Sequence, residues 1–484
     1  MKKSNTNETN IWMILATVLI GTFMSTLDGS IVNVALPNIA VKLKVSISTI
    51  QWVVSTYLMV ISTLILIFGR IGDIKGKKNV YQTGLLIFSF GSLLCGMFNN
   101  IVMVVFSRVI QAVGASMMMS CSFAIITMTF PAKLRGRALG ILGTAVALGS
   151  MVGPPLGGIL VGCFSWKSIF LINVPIGIAA FFLGIKILPK EEKHHENVEP
   201  FDVKGAVSFA AGIILLISSL LNGEVLGWHN IIIIVGLIAA LISLIIFYIT
   251  EMKTEYPMVD FSLFQNKMFS VSIICAFISF MAIFFTNIIH PFYLQYVLKA
   301  SPREAGLLMM VFPITVFIVA PISGRLSDKI GYKFLTLTGL ILTGIGVLLM
   351  GFLTEKSSYL DVILRVGIMA FGNGLFQSPN NSCVMSSVPK NKLGIAGSIN
   401  SLIRNLGMVC GIAFSMTLLY DRMSAKIGHS VTDFVPGRPD AFIYGMKFIY
   451  TLAAIVTLAG VLMTLFRVFD KGEEHEETQE KILQ

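Results

Sequence analysis

Two ionisable side chains, Asp28 and Arg108, stand inside stretches that are otherwise apolar. Asp28 lies in the segment 25–37 (STLDGSIVNVALP), which closes the first long apolar run. A charged side chain in hydrocarbon costs on the order of 3 kcal/mol or more, so it needs a partner, a proton or a water-filled cavity. The position therefore favours a proton or cation site at Asp28. The alternative is a carboxylate that merely reaches the membrane border.

Arg108 is the candidate partner of Asp28. The predicted fourth helix carries Arg108 about seven residues from its start, and Asp28 stands about seven residues before the predicted end of the first helix. At 1.5 Å per residue, both side chains lie roughly 10 Å below the same surface. A pair would favour the charged carboxylate and an apolar surrounding would favour the protonated one, so a proton could be exchanged for a bound cation. The alternative is that Arg108 bonds to backbone carbonyls.

The elements that hold these side chains are membrane helices. The chain has 484 residues, of which 55% are hydrophobic and 13% charged, and its mean hydropathy is +0.83, which excludes an ordinary soluble protein. Apolar runs of about 20 residues, each long enough to cross a bilayer, predict about fourteen helices and an all-α fold. The predicted helices span roughly 11–35, 48–69, 79–98, 101–130, 137–162, 167–187, 203–222, 229–250, 268–290, 303–323, 333–353, 358–380, 393–419 and 442–466.

The distribution of Lys and Arg predicts the topology. Loops after even-numbered helices hold 18 of these residues and loops after odd-numbered helices hold 9. Cytoplasmic loops carry the excess of positive charge, so both termini are expected in the cytoplasm. The net charge of +11 is therefore a topology signal, and no nucleic-acid partner is expected. The six Cys lie in apolar segments without a CxxC or Cys/His pattern, so neither disulfides nor a metal site is expected.

An internal repeat divides the chain into two halves. The segment 69–78 (GRIGDIKGKK) recurs as 324–333 (GRLSDKIGYK), an offset of 255 residues. Further matches are Arg108-Val with Arg365-Val at offset 257, and Pro131, Gly136 and Ala138 with Pro389, Gly394 and Ala396 at offset 258. Six-helix halves are a transporter architecture with substrate handled at their interface. The predicted units are a tail 1–10, an N-terminal half 11–187, a linker 188–267 with two extra helices, a C-terminal half 268–467 and an acidic tail 468–484.

The repeat also bears on Asp28. At an offset of 254, Asn287 and Pro291 align with Asn33 and Pro37, and Ala282 then occupies the position of Asp28. The repeat does not require the carboxylate, which favours a functional role.

The repeated loop is predicted to act as a conformational latch. Its glycines permit a tight turn, and its charges can make hydrogen bonds across helix ends. The predicted latch residues are Gly69, Arg70, Asp73, Gly76 and Lys77, with Arg325 and Asp328 in the second copy. The alternative is a basic loop that only sets the topology. A nucleotide loop is excluded, because Gly76-Lys77 is followed by Lys and the required upstream Gly is missing.

The fifth helix combines small residues with prolines. Glycines allow close helix contact, and prolines remove backbone donors and bend a helix, so a mechanical role at a domain interface is expected. The residues are Gly149, Gly153, Pro154, Pro155, Gly157 and Gly158. Other polar groups near membrane depth are candidates for a cavity lining, although hydrogen bonding between helices could explain the amides and an interfacial position could explain the acid. They are Asn33, Asn373, Gln377, Arg404 and Glu224.

These motifs resemble the major facilitator superfamily, and within it the fourteen-helix drug:proton antiporter branch (EmrB/QacA type). The resemblance covers about residues 11–467. Its motifs are the first-helix acidic segment with Asp28, the loop with Arg70 and Asp73, the fourth-helix segment 108–114 (RVIQAVG), the antiporter signature 149–158 (GSMVGPPLGG) and the segment 166–177 that opens helix six. Ala112 departs from the Gly often seen after Gln in the fourth-helix motif, and Lys167 stands where Arg is usual.

The resemblance implies a proton-coupled antiporter that exports hydrophobic, cationic drugs or other toxic compounds by alternating access. It implies a multi-pass protein of a bacterial cell membrane, driven by the proton gradient without a cofactor, whose partners are protons, small substrates and the bilayer. The single intramembrane carboxylate, Asp28, indicates about one proton per cycle. One alternative is an exporter of a specific metabolite or lipid. Another is a membrane enzyme or receptor, which the missing catalytic motifs and the short hydrophilic stretches disfavour.

Overall fold

The computed structural model describes residues 8–188, 201–254, 257–389, 392–431 and 433–469. Within them, thirteen helices are long and apolar enough to cross a membrane. A further helix, Ala132–Cys163, is continuous over 32 residues and completes a set of fourteen. These long helices are α1 Glu8–Leu43, α2 Trp52–Lys75, α3 Lys77–Met97, α4 Ile101–Thr129, α5 Ala132–Cys163, α6 Asn173–Ile187, α7 Val203–Leu226, α8 Ile231–Lys253, α9 Lys267–Asn287, α10 Val311–Ile330, α11 Tyr332–Met350, α12 Tyr359–Ser386, α13 Leu393–Ile427 and α14 Pro439–Phe469.

Short turns join antiparallel neighbours, so the bundle has two ends. The Gly76 end holds the turn between α2 and α3, and the Lys44 end holds the turn between α1 and α2. Gly76 (φ +93°) and Gly331 (φ +82°) form the corresponding turns in the two halves. Positive φ is the conformation that glycine adopts without strain, which explains why both copies of the repeated loop carry glycine here.

The main difference from the predicted boundaries is at α1. This helix continues through Pro37 to Leu43 instead of ending near residue 35, so Asp28 lies fifteen residues before its end. The helix end from which the depth of Asp28 was estimated was therefore wrong, and the depth itself stays a prediction. Proline keeps the helical φ and lacks only one backbone donor, which a long buried helix can tolerate. Arg108 lies seven residues after the start of α4. Because Asp28 and Arg108 are in contact, α1 reaches about eight residues, or about 12 Å, further towards the Lys44 end than α4 does.

The repeat is confirmed as a repeat of packing. A Cβ on Gly149 would lie 2.9 Å from the Phe23 carbonyl oxygen, and one on Gly407 would lie 2.7 Å from the Phe277 carbonyl oxygen. The two contacts are related by the offsets of 258 and 254 found in the sequence. The backbones of α5 and α1 therefore pack in the same way as those of α13 and α9, at a distance that only glycine permits.

The same comparison corrects one register. Gly114 packs on Gly84 as Gly372 packs on Gly339, so α4 and α12 are related by an offset of 258. At that offset Arg108 corresponds to Val366, and the match of Arg108 with Arg365 was wrong by one residue. Arg365 instead donates from Nη1 to the Leu349 carbonyl oxygen (3.1 Å).

Three of the described contacts between the two halves lie towards the Lys44 end. Asn33 Nδ2 of α1 donates to Asn287 Oδ1 of α9 (3.3 Å), and Gln295 Nε2 donates to the Val34 carbonyl oxygen (3.1 Å). The backbones of Gly158 and Gly306 touch, since a Cβ on Gly158 would lie 3.3 Å from the Gly306 Cα. Here α9 departs from its counterpart α1, because it ends at Asn287 and a π-helical turn, Tyr293–Val297, follows.

Candidate functional site

The Asp28 carboxylate is fully buried and accepts three hydrogen bonds. Arg108 Nη1 donates to Oδ2 in an ion pair, while Gln111 Nε2 (2.8 Å) and Asn173 Nδ2 (2.9 Å) donate to Oδ1. All four side chains are 0% exposed. A buried charge is tolerated only when it is paired and hydrogen-bonded, and this cluster meets that condition for the carboxylate.

Arg108 is held on several sides. Its Nε donates to the Val53 carbonyl oxygen (2.9 Å) and its Nη1 also donates to Gln111 Oε1 (2.6 Å). Its Cζ lies 4.1 Å from the centroid of the Tyr57 ring, an arrangement that stabilises a delocalised cation. The sequence left two alternatives for Arg108, a bond to Asp28 or a bond to a backbone carbonyl oxygen. In the structure Arg108 makes both bonds.

Gln111, Asn173 and Ser92 are parts of the cluster that the sequence did not single out. Gln111 Nε2 donates to Ser92 Oγ (2.7 Å) as well as to Asp28, so the network spans four helices: α1, α3, α4 and α6. One sequence signal was available. Gln111 follows Arg108 by three residues, which places both on one face of α4. For Asn173, the first residue of α6, nothing local indicated contact with α1.

The corresponding region of the C-terminal half is apolar. At the offsets of the repeat, Asp28, Ser92, Arg108 and Gln111 correspond to Ala282, Val347, Val366 and Met369, all of which are buried. The same packing of helices therefore exists without any of these polar groups. The cost of burying an ion pair is thus incurred in one half only, which favours a function for it there.

The other predicted cavity residues divide into two groups. Asn33 bonds across the halves to Asn287, and the buried Asn373 donates to Ser279 Oγ (3.2 Å), so both amides bond between helices, and their role in a cavity stays a prediction. Gln377 and Arg404 keep partial exposure. The side chain of Glu224 lies outside the described part of the structure, as does that of Asp328.

The predicted latch residues lie at the Gly76 end. Lys77 Nζ pairs with Asp73 Oδ1 (2.8 Å) across the Gly76 turn, and Gly72 packs against Cys121 of α4. The neighbouring Lys78 donates to the carbonyl oxygens of Ile185 (3.2 Å) and Leu188 at the end of α6. These described contacts join helices of the N-terminal half to one another, and whether they act as a latch stays a prediction.

The fifth-helix residues contact α1 and the second half. Gly149, Gly153 and Gly157 press against α1, and Gly158 reaches residues 302–306 beyond it. Pro154 and Pro155 lie inside a continuous α5. At the offset of 258, Pro154 and Pro155 correspond to Ile412 and Ala413. The spacing of the glycines is therefore repeated in both halves, whereas the two prolines occur in the N-terminal half alone.

Within the described residues, no group of three or more His, Cys, Asp or Glu side chains is arranged to hold a metal ion. The fold and the cluster define a polytopic membrane transporter built from two related halves. Comparison with known proteins gives the family: residues 18–263 and 272–483 match the Major Facilitator Superfamily. The chain belongs to this superfamily, and its fourteen long helices fit the fourteen-helix type of drug antiporter. The family and its named relatives are transporters and not enzymes.

Three relatives illustrate the range of substrates. The chain is 38% identical to the riboflavin transporter RibZ of Clostridioides difficile, over 94% of this chain and 97% of that protein. It is 32% identical to the multidrug resistance protein Stp of Mycobacterium tuberculosis, over 89% and 80%. It is 31% identical to the multidrug transporter protein MdtP of Bacillus subtilis, over 87% and 77%. Transport is thus common to relatives whose names give different substrates.

Proposed function

We propose that this protein is a proton-coupled antiporter that exports hydrophobic compounds through a bacterial cell membrane by alternating access. The observation that carries the proposal is the buried Asp28 carboxylate with its ion pair to Arg108. An intramembrane ionisable residue marks an ion or proton pathway by default. The excess of Lys and Arg at the Gly76 end supports a cytoplasmic position for that end and for both termini.

Protonation of Asp28 would act on the contact between the halves through α1. A neutral carboxyl loses the ion pair with Arg108 and bonds more weakly to Gln111 and Asn173, which frees α1 from α4 and α6. Asn33 and Val34, five and six residues further along α1, hold the C-terminal half at the Lys44 end. Because Asp28 has no exposed surface, substrate would compete with the proton through the position of α1, and not through the direct contact with Asp28 expected from the sequence.

The test measures proton and dye flux in liposomes that contain the purified full-length protein. An imposed pH gradient is expected to drive dye accumulation by the wild type, whereas Asp28→Asn accumulates no more dye than empty liposomes. Glu355→Gln removes one exposed carboxylate at a loop and serves as the control. If Asp28→Asn accumulated as much dye as the wild type under the same pH gradient, the proposal would be overturned.

A second candidate is transport of a single flavin-like metabolite. It is supported by the 38% identity to a riboflavin transporter over nearly the full length of both proteins. Uptake and efflux of riboflavin and of several unrelated dyes in the same liposomes separate the two candidates. Transport of riboflavin but of none of the dyes would favour a transporter of one metabolite. Transport of several unrelated dyes would favour an exporter of many hydrophobic compounds.

A further inference from the structure

Arg404 of the C-terminal half forms no salt bridge within the part of the chain that the structure describes. Arg404 lies eleven residues after the start of α13, about a third of the way along this 35-residue helix. Its Nε is buried and has no hydrogen-bond partner in the described part of the chain, and the side chain as a whole keeps partial exposure. Arg108, in contrast, is fully buried and forms an ion pair with Asp28, although its Nη2 also has no hydrogen-bond partner among the described residues.

Aromatic side chains of α9 lie beside Arg404. The guanidinium Cζ is 5.8 Å from the centroid of the Phe280 ring. Phe277, Phe280 and Phe284 follow one another at helical spacing on α9, and all three keep partial exposure. Gly407 and Gly411 of α13 pack against the backbone of this stripe, so the Arg404 face of α13 is turned towards it.

The site also borders the N-terminal half. Gly397, two helical turns before Arg404 on the same face of α13, lies against Phe123 of α4, since a Cβ there would be 3.7 Å from the ring. The α13 face that carries Arg404 therefore runs along the interface where this architecture handles substrate.

The repeat shows that the charge is not a requirement of the fold. At the offset of 258, Arg404 of α13 corresponds to Val146 of α5, whose glycines pack on α1 as Gly407 and Gly411 pack on α9. A valine fills the equivalent place in the N-terminal half. A cation inside a membrane span is costly unless something polar contacts it, and Arg404 is only partly enclosed, so its presence in one half favours a polar ligand at its open side.

We propose that Arg404 and the adjacent Phe277, Phe280 and Phe284 form the part of the substrate site that selects planar, anionic or carbonyl-rich compounds. A delocalised guanidinium stacks on aromatic faces and presents a fork of donors to carboxylate or carbonyl oxygens. A cationic compound would meet the positive charge of Arg404 uncompensated, because the Asp28 charge is already neutralised by Arg108. The inference rests on the proposed transport function and replaces the cationic substrates that the family resemblance implied with acidic or neutral ones.

Binding to the purified protein in detergent tests this assignment. Fluorescein and rhodamine 123 share a planar xanthene ring and carry opposite charge, so fluorescence anisotropy titrations compare charge at constant shape. Wild type is expected to bind fluorescein about tenfold more tightly than rhodamine 123, as one charge-assisted hydrogen bond supports. Arg404→Gln is expected to lose this preference, and Arg404→Lys, which keeps the charge without the planar fork, to retain part of it.

Arg422→Gln is the matched control. Arg422 lies on the same helix and its Cζ is 4.0 Å from the centroid of Phe448, but it stands near the Lys44 end beside Asp421. It is expected to leave both affinities unchanged. Tighter binding of rhodamine 123 by wild type, or unchanged fluorescein binding by a folded Arg404→Gln, overturns the inference. If Arg404→Gln fails to fold, the comparison of the two dyes on wild type and on Arg404→Lys decides.

The titration uses no proton gradient, so its failure is separate from a failure of proton coupling. Proton-driven transport of rhodamine 123 with no binding preference for fluorescein would leave the antiporter proposal standing and remove the role of Arg404. A preference for fluorescein without any proton-driven flux would support the role of Arg404 and remove the antiporter proposal.

Discussion

Asn33 and Asn287 occupy equivalent positions in the two halves and bond to each other. The Nδ2 of Asn33 donates to the Oδ1 of Asn287 at 3.3 Å, and the two residues are related by the repeat offset of 254. The bond lies on the same helix as Asp28, five residues further along. It therefore links the helix that carries the carboxylate to the half that carries Arg404.

The first prediction concerns this bond. Asn33→Ala is expected to loosen the contact at the Lys44 end by about 1 kcal/mol, which is roughly a fivefold change in the equilibrium between joined and separated states. Hydrogen exchange of the irregular segment 288–297, followed by mass spectrometry, is expected to accelerate by that factor. Asn287→Ala should have the same effect, and combining the two substitutions should add little, because both remove one bond.

Asn222→Ala is the control for the loss of an amide, since Asn222 bonds to the Ser218 carbonyl oxygen of its own helix. Equal acceleration by this substitution would show that the effect does not depend on contact between the halves.

The second prediction concerns the ion pair. Arg108→Gln leaves the Asp28 carboxylate buried without its cation and is expected to destabilise the protein by about 3 to 5 kcal/mol. Arg108→Gln combined with Asp28→Asn removes both charges and is expected to be more stable than Arg108→Gln alone. Thermal unfolding in detergent of wild type, both single variants and the double variant gives the coupling. Additive losses would contradict an energetic pairing of the two residues.

The third prediction concerns the close contact of α5 with α1. A Cβ on Gly153 would lie 1.8 Å from Ser30 Oγ and 2.9 Å from the Ile31 nitrogen, so Gly153→Ala must push the helices apart. The cost of overpacking a tight core is about 1 to 3 kcal/mol, and the yield of folded protein in size-exclusion chromatography is expected to fall. Gly162→Ala, on the same helix with nothing within 4 Å, is the control and should behave as wild type. A normal yield of Gly153→Ala would mean that α5 can move away from α1 at little cost.

The fourth prediction concerns pH and a pair outside the membrane spans. Asp260 precedes α9 and contacts Lys392 before α13 (2.5 Å), which ties two loops at the Gly76 end. Burial alone would raise the pKa of the Asp260 carboxyl, but hydrogen bonds from Lys392 and Ser262 outweigh it and hold the pKa below its ordinary value of 3.8. A lowered pKa in the folded state means that the contribution to stability is present above pH 3.8 and is lost as the pH falls through the folded value.

Asp260→Asn should therefore lower the unfolding temperature at pH 7, for a free-energy loss of up to about 1 kcal/mol. The difference from wild type should shrink below about pH 3.8. Unfolding followed by intrinsic fluorescence between pH 3 and 7 measures it, with Glu355→Gln as the control for the loss of one negative charge. A difference that stays constant over this range would contradict the ion pair as its source.

Much of the fold was predictable because it depends on features that are local or periodic. Apolar length fixes the number of spans, and the repeated loop at residues 69 and 324 identifies the two halves. Helix ends were less predictable. The first helix was predicted to end near residue 35, but it passes through Pro37 to Leu43.

The site was predictable in part. Asp28 and Arg108 stood out because a charge in an apolar helix is rare, and their contact was one of two alternatives that the sequence left open for Arg108. Asn173 could not be found in this way, since a neutral amide at a helix start has many common explanations and its contact with Asp28 joins residues 145 positions apart. That Arg404 has no carboxylate partner among the described residues also needed coordinates, because the sequence does not show which carboxylates lie near it.

The contact between Gly158 and Gly306 has a consequence for the energy of motion. Backbone touches backbone there, and neither residue has a side chain that must choose a rotamer or leave a pocket when the halves move. Interdigitated side chains would oppose this movement and would make it proceed in steps, as each side chain left its pocket. Backbone surfaces without side chains can instead move over each other with little change in conformational entropy. This contact can therefore serve as a pivot with a low energy barrier when the two halves rotate relative to each other.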